Sequence, residues 1–282
     1  MIKKIAVVND ISGFGKCSLT AAIPVISALK VQACPLPTSV LSNQTCYSSF
    51  YMKELTGDMD FIIEKWLELG FSFDGIYSGF LSGNEQVSSV IKLAEKFKKD
   101  SVKFILDPVM GDAHVPYANY SIRLRDSMLY LAQMADIMLP NVTELCLLSG
   151  LDSKKLLLEN GTENLAKVKE TALKLADKTK TTVIVTGVNT VEEGKEYISN
   201  VIADSNKTGV VKRPKLKGGY SGTGDIMASI VSAMAVRGFD ITTAVNTAAD
   251  FISKAVYDTS LENTDVNDGV DFENHLGLLT QI

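Results

Sequence analysis

The sequence predicts an α/β protein: a mostly parallel central sheet with helices on both faces and an antiparallel hairpin at one edge. Two observations carry the parallel sheet. Apolar, β-branched runs recur along the 282 residues, and segments with helical period lie between most of them. Strands that are apolar almost throughout, alternating with amphipathic helices, are the pattern of a parallel sheet buried on both sides. A third observation carries the hairpin. Residues 195–213, KEYISNVIADSNKTGVVKR, read as two strands around a polar turn at Asp204–Gly209.

The elements follow in order. Strands are expected at 4–8 (KIAVV), 31–36 (VQACPL), 74–80 (DGIYSGF), 102–108 (VKFILDP), 135–140 (ADIMLP) and 181–187 (TTVIVTG). In 84–98, Val87, Val90, Ile91, Ala94 and Phe97 share one helical face, and in 162–178 Leu165, Val168, Ala172 and Leu175 do the same. Two further helical stretches follow at 222–237 and 240–257. The tail from Asp258 begins polar and is expected to cross the surface before a short terminal helix. Without repeats, low-complexity stretches or linker-like composition, residues 1–282 read as one domain.

Composition narrows the function. The chain is 46% hydrophobic with a formal net charge of −5, which argues against nucleic acid or anionic lipid as a partner. No apolar run is long enough to span a bilayer, and Asn9-Asp10 interrupts the N-terminal one, so neither a membrane span nor a signal peptide is expected. Cys17, Cys34, Cys46 and Cys146 form no CxxC pair, and His114 and His275 are the only histidines. A structural zinc site is not expected, a reduced cytoplasmic compartment is, and acid–base chemistry falls to carboxylates.

Open parallel sheets bind ligands at the carboxyl ends of their strands. The first such turn, NDISGFGKCS (9–18), has the look of a phosphate loop. A Walker loop, however, needs Gly where Asp10 stands and Ser or Thr where Cys17 stands. It reads instead as a strand-to-helix turn, with Asp10 a candidate small-molecule contact. The better anion site is KGGYSGTGD (217–225), just before a helical run. Free backbone amides at a helix N-terminus attract anions, so Gly222, Thr223 and Gly224 are a candidate hole for a phosphoryl group. Asp225 in the first turn could accept a proton from an attacking hydroxyl, and the helix dipole is expected to keep it readily ionised. The plainer reading is a glycine turn followed by an acid that the dipole favours.

Two more motifs follow strands. DPVMGD (107–112) sets Asp107 at a strand end and Asp112 in a loop with Gly111, His114 and Tyr117 that could close over a nucleotide. PNVTE (140–144) spaces Asn141 and Glu144 as a capping box, or as two side chains turned to a hydrated magnesium–phosphate cluster.

Together DPVMGD, PNVTE, VIVTG and GTGD, in this order, resemble the ribokinase superfamily, and within it the pyridoxal (vitamin B6) kinase family. VVND, LPTSVLSNQTCY (36–47) and YSGFL (77–81) are similar to that family's substrate-side segments, and the resemblance covers residues 2–258. It implies a ribokinase-like three-layer sandwich without a separate lid domain, and ATP-dependent phosphorylation of the 5′-hydroxymethyl group of pyridoxal, pyridoxamine or pyridoxine. By resemblance Asp225 is the base and Gly222, Thr223 and Gly224 the anion hole. Asp107 and Glu144 arrange Mg2+ through water, and Asp107, Asp112, Asn141, Glu144 and Thr186 attend the nucleotide. Asp10, Leu41, Gln44, Thr45 and Phe80 line the acceptor side. The resemblance also implies a homodimer and a monovalent cation such as K+ among the cofactors.

Two positions depart from the family pattern: Asp10 stands where many members have serine, and Leu139 where a threonine is usual before Pro-Asn. The rival activity is that of a hydroxymethylpyrimidine kinase, which usually has cysteine where Asp225 stands. Gln44 would suit a pyrimidine ring. A non-catalytic ligand-binding member of the fold is the other alternative, and the acid at 225 and the glycine hole argue against it.

Overall fold

The computed structural model describes residues 1–158, 161–262 and 264–282. Its contacts divide the chain into two compact units, one of residues 1–104 with 216–282 and one of residues 105–215. In chain order, the first unit opens with β1 (Lys3–Ser12), α1 (Ser18–Ala28), β2 (Val31–Leu41) and β3 (Met52–Glu54). It continues with α2 (Thr56–Glu68), β4 (Gly75–Ser78) and α3 (Asn84–Phe97). The division falls inside β5 (Lys103–Leu106), in regular structure, so no linker composition marks it.

The second unit holds β6 (Gly111–Asp112), β7 (Val115–Pro116), α4 (Ile122–Met134), β8 (Ile137–Met138) and α5 (Val142–Ser149). After these come α6 (Leu165–Thr179), β9 (Thr182–Glu192), β10 (Lys195–Asp204) and β11 (Lys207–Pro214). The chain then returns to the first unit with α7 (Thr223–Val236), α8 (Ile241–Leu261) and the short α9 (Leu276–Leu279).

The architecture is mixed α/β, with a large, mostly parallel sheet flanked by helices, as the alternating pattern requires. In the first unit β1 pairs in parallel with both β2 and β4, and β3 adds antiparallel to β2. Ile5, Ala6, Val7 and Val8 of β1 are fully buried. Each large apolar side chain so buried contributes roughly 1.5–3 kcal/mol. In the second unit β5, β8 and β9 are parallel, and β10 and β11 run antiparallel out to the edge. The expected hairpin is therefore present, with a tighter turn than expected: Asp204 already pairs with Lys207. β9 runs past its expected end at 187. Gly187 sits there at φ +67°, near the register shift between Ser199 and Val201 on β10.

Caps fix several helix starts. Asp240 accepts the Thr243 N–H at 2.9 Å, Asn164 that of Lys167 at 3.2 Å and Ser121 that of Leu124 at 3.1 Å. The tail differs from the expected surface crossing. Val270 and Phe272 are buried, Lys16 Nζ pairs with Asp271 and Glu273, and the Tyr47 hydroxyl donates to Asp268. Its acidic residues are what anchor it.

Candidate active site

In the first unit the centre of interest is the start of α7. Gly222 occupies the N-cap at φ +84° and no side chain caps the helix there. A Cβ at Gly222 would lie 1.8 Å from the carbonyl oxygen of Lys16. Glycine is thus required for close packing on the 9–18 turn as well as for its left-handed backbone. Gly224 has open space around the position of a Cβ. The first-turn amides of Thr223, Gly224 and Asp225 have no partner within the helix and form an anion-seeking end.

Asp225 lies in that turn, partly exposed. Its Oδ1 accepts Nδ2 of Asn9 at 3.1 Å, and the Ser18 backbone N–H and the Tyr77 hydroxyl also bond it. Sequence reasoning expects a readily ionised carboxylate here, and the structure corrects that expectation. Desolvation by the surrounding protein, helped by the charge of Asp10, outweighs those hydrogen bonds and raises the Asp225 pKa from 3.8 to about 6.

Asp10, in β1, is buried, and each carboxylate oxygen accepts a hydroxyl: Oδ2 from Ser12 at 3.0 Å and Oδ1 from Ser18 at 2.5 Å. Burial still raises its pKa. Ser18 holds φ +50° as the first residue of α1, a conformation that costs a non-glycine residue roughly 1–2 kcal/mol. Its hydroxyl is thereby committed to Asp10 and its N–H to Asp225. Cys17 sits between them, and burial, then the charges of Asp225 and Asp10, push its thiol up to about 12. Lys16, the apparent phosphate-loop lysine, is tied to the tail instead.

The remaining acceptor-side residues are placed unequally. Leu41 is buried at the end of β2, and Phe80 follows β4 with its N–H donating to Asn9 Oδ1 at 2.9 Å. Thr45 is exposed. The Gln44 amide is used within the chain. It donates to the Asn267 carbonyl at 3.0 Å and Ser221 Oγ at 3.3 Å, and accepts the Cys46 N–H at 2.9 Å. Any substrate contact would have to displace these bonds, which weakens the case for Gln44 as a reader of a pyrimidine ring. Ser12, Ser18 and Tyr77 carry no signal of their own in the sequence. Asn9 is marked in the sequence by its place just after an expected strand, where open sheets bind ligands.

In the second unit the capping box is real. Asn141 Oδ1 accepts the Glu144 N–H at 2.9 Å, and Glu144 Oε2 accepts the Asn141 N–H at 2.9 Å. Glu144 Oε1 also accepts the Met110 N–H at 3.1 Å, so both oxygens of this buried carboxylate hold backbone. Burial and the neighbouring charge of Asp107 push the Glu144 pKa well up, and the two N–H bonds oppose them. Asp107 is itself buried. Asn141 Nδ2 donates to the Gly111 carbonyl at 2.7 Å, and Asn141 pairs with Thr186 as an isolated parallel bridge. Asp107, Asp112, Asn141, Glu144 and Thr186 thus belong to one neighbourhood. The segment after Asp112 is a short hairpin rather than a plain loop. The His114 N–H donates to Thr143 Oγ1 at 2.8 Å, and its ring lies 3.5 Å from Glu163.

Among the described residues no group of three or more His, Cys, Asp or Glu is arranged to hold a metal ion directly. A buried acid pair with Glu144 already bonded to backbone fits a hydrated ion, held through water, better than a dehydrated one. Leu139 is buried and offers no side-chain oxygen to a monovalent cation. No described helix is long and apolar enough to cross a membrane.

The chain is similar to known proteins along nearly its whole length. A pyridoxal kinase of Leifsonia xyli is 29% identical over 258 residues, covering 86% of this chain and 84% of its own. The pyridoxal kinase of Lactobacillus plantarum superposes with a TM-score of 0.87 at 25% identity, covering 100% of this chain and 98% of its own. A Bacteroides thetaiotaomicron protein assigned as a phosphomethylpyrimidine kinase, and crystallised with pyridoxal, gives 0.90 at 34% identity, over 99% and 96% of the two chains. The model of the phosphomethylpyrimidine kinase family matches residues 15–271. With its fold, its acid at the start of α7 and these relatives in view, the chain belongs to the phosphomethylpyrimidine kinase family, in the ribokinase-like superfamily that also holds the pyridoxal kinases.

Proposed function

We propose that this kinase transfers the γ-phosphoryl group of ATP to the 5′-hydroxymethyl of a B6 vitamer: pyridoxal, pyridoxamine or pyridoxine. The observation that carries the reading is Asp225, gripped by Asn9 in the first turn of an uncapped helix behind Gly222. The pyridoxal kinase names of the relatives, and pyridoxal in the Bacteroides structure, support the substrate class.

Asp225 takes the proton of the acceptor hydroxyl. A pKa of about 6 leaves it mostly ionised at pH 7 yet more basic than an ordinary aspartate, close to the optimum for a general base. Phosphoryl transfer proceeds through a loose transition state, so the proton leaves late and positioning dominates. The amides of Gly222, Thr223 and Gly224 offset charge on the moving group, each by about 3 kcal/mol if they act like oxyanion-hole donors. Asp10, with its two serines, Leu41, Thr45 and Phe80 hold the ring. Asp107 and Glu144 would hold Mg2+, with Asp112, Asn141 and Thr186 attending the nucleotide. When bound, Mg2+ neutralises phosphate charge. The working protein is read as a homodimer on family resemblance and as cytoplasmic from its four cysteines without a CxxC pair.

Phosphorylation of hydroxymethylpyrimidine is the second reading, favoured by the family model that matches. Steady-state kinetics with pyridoxal, pyridoxamine, pyridoxine and hydroxymethylpyrimidine under ATP–Mg2+ separates the two. The highest kcat/KM should fall on a B6 vitamer, and a pyrimidine preference overturns the assignment. Asp225→Asn should abolish turnover while nucleotide affinity stays near wild type.

A further inference from the structure

Asn9 lies near the end of the buried run of β1, one residue before Asp10, and is 1% exposed. Its Oδ1 accepts two backbone N–H groups, Phe80 at 2.9 Å and Asp10 at 3.0 Å. Two donors on one side of an amide decide which end is oxygen, so Nδ2 has to face Asp225. The amide also has no room to turn. A Cβ at Gly79 would lie 2.5 Å from Nδ2 and 2.7 Å from Cγ, so glycine at 79 is what leaves space for it. One side chain therefore ties together the end of β1, the residue after β4 that lines the acceptor side, and the first turn of α7, 216 residues away in sequence.

We propose that Asn9 is the positioning residue of the phosphoryl-transfer step: its locked amide donates to Oδ1 of Asp225 and fixes the orientation of that carboxylate relative to Phe80. This rests on Asp225 being the base. Cys17 is too weakly acidic to supply a competing charge, so Asp10 is the charged neighbour that opposes Asn9, while Tyr77 donates alongside it. Removing the Asn9 donor leaves Asp10 less opposed and makes the base harder to ionise.

The test uses the full chain and compares Asn9→Asp, Asn9→Ala and Asp225→Asn. The rate of the chemical step is read by rapid quench with pyridoxal and ATP–Mg2+ from pH 5 to 9, with KM from steady state and folding from circular dichroism. Aspartate at 9 keeps the acceptor oxygen for Phe80 and Asp10, loses the donor and adds a negative charge beside the base. Its acidic limb should move up by about one pH unit or more, with a rate roughly tenfold lower at pH 5 and about twofold lower at pH 7, recovering toward pH 9. Asn9→Ala should shift the limb in the same direction by less, with vitamer KM changed by less than about threefold. A purely structural role predicts the opposite order, since alanine abandons both buried N–H groups while aspartate keeps them. A wild-type acidic limb in Asn9→Asp, or a larger shift in Asn9→Ala, overturns the proposal. Should the aspartate variant not fold, an unshifted limb in the alanine variant overturns it equally. Full activity in Asp225→Asn would instead remove the base itself, whereas an inactive Asp225→Asn beside unshifted Asn9 variants refutes only the role of Asn9.

Discussion

The raised pKa of Asp225 has a consequence for stability that can be measured apart from activity. In the unfolded chain this carboxyl titrates near 3.8, and in the fold near 6. Because the folded value is the higher one, ionising the group works against folding. The cost is absent below about pH 4, grows between about pH 4 and 6, and is complete above that. The difference corresponds to about 3 kcal/mol at pH 8, an upper figure because the side chain keeps some exposure. Asp225→Asn removes the charge and leaves an acceptor oxygen for Asn9, so the variant should be more stable than the parent at pH 8 by up to that amount. For a chain of this length the gain corresponds to roughly 5 °C in Tm. Thermal unfolding of both proteins followed by circular dichroism at pH 4 and pH 8 checks it. The two melting curves should converge at pH 4 and separate at pH 8, with the inactive protein the later to melt. Equal Tm values at pH 8, or a less stable variant, would refute the claim that desolvation dominates at this carboxylate.

Two further outcomes are expected. Gly222→Ala sets a Cβ against the Lys16 carbonyl and forces a positive φ on alanine, which should cost about 2–5 kcal/mol in a urea melt. Gly224→Ala meets open space and should leave stability within about 1 kcal/mol of the parent. Similar losses in both would refute the packing argument. Lys16→Ala should leave KM for ATP unchanged and lower stability by about 1 kcal/mol or less, because its partners are the partly exposed Asp271 and Glu273. A large rise in KM for ATP would return this lysine to the phosphates.

Much of the fold can be read from the sequence because one physical rule governs it. The continuous apolar runs at β1, β5 and β9 and the polar turn between β10 and β11 announce themselves. Helices that break the amphipathic rule are harder to see. α1 has a nearly unbroken apolar sequence and carries Pro24, and α2 exposes Phe61 and Leu67. Within the site, the Asn141–Glu144 spacing predicts a capping box and the structure contains one. The glycines before α7 correctly mark an unusual helix start. The bond between Asn9 and Asp225 could not be read, since nothing local links residues so far apart. The basicity of Asp225 escapes the sequence for a related reason: the helix dipole is visible in a sequence, whereas the depth at which a side chain is desolvated belongs to the tertiary structure. Gln44 shows the same limit, its three bonds reaching Ser221 and Asn267 as well as its neighbour Cys46.

The anchored tail bears on when the turn beneath Gly222 is set during synthesis. Asn267, Asp268 and Asp271 hold Gln44, Tyr47 and Lys16, partners more than two hundred residues earlier in the chain. While a ribosome is still threading out α8, the early strands have emerged but lack the clasp that fastens the turn beneath Gly222. Setting that turn therefore waits on contacts spanning more than two hundred residues, which makes it a late event in folding.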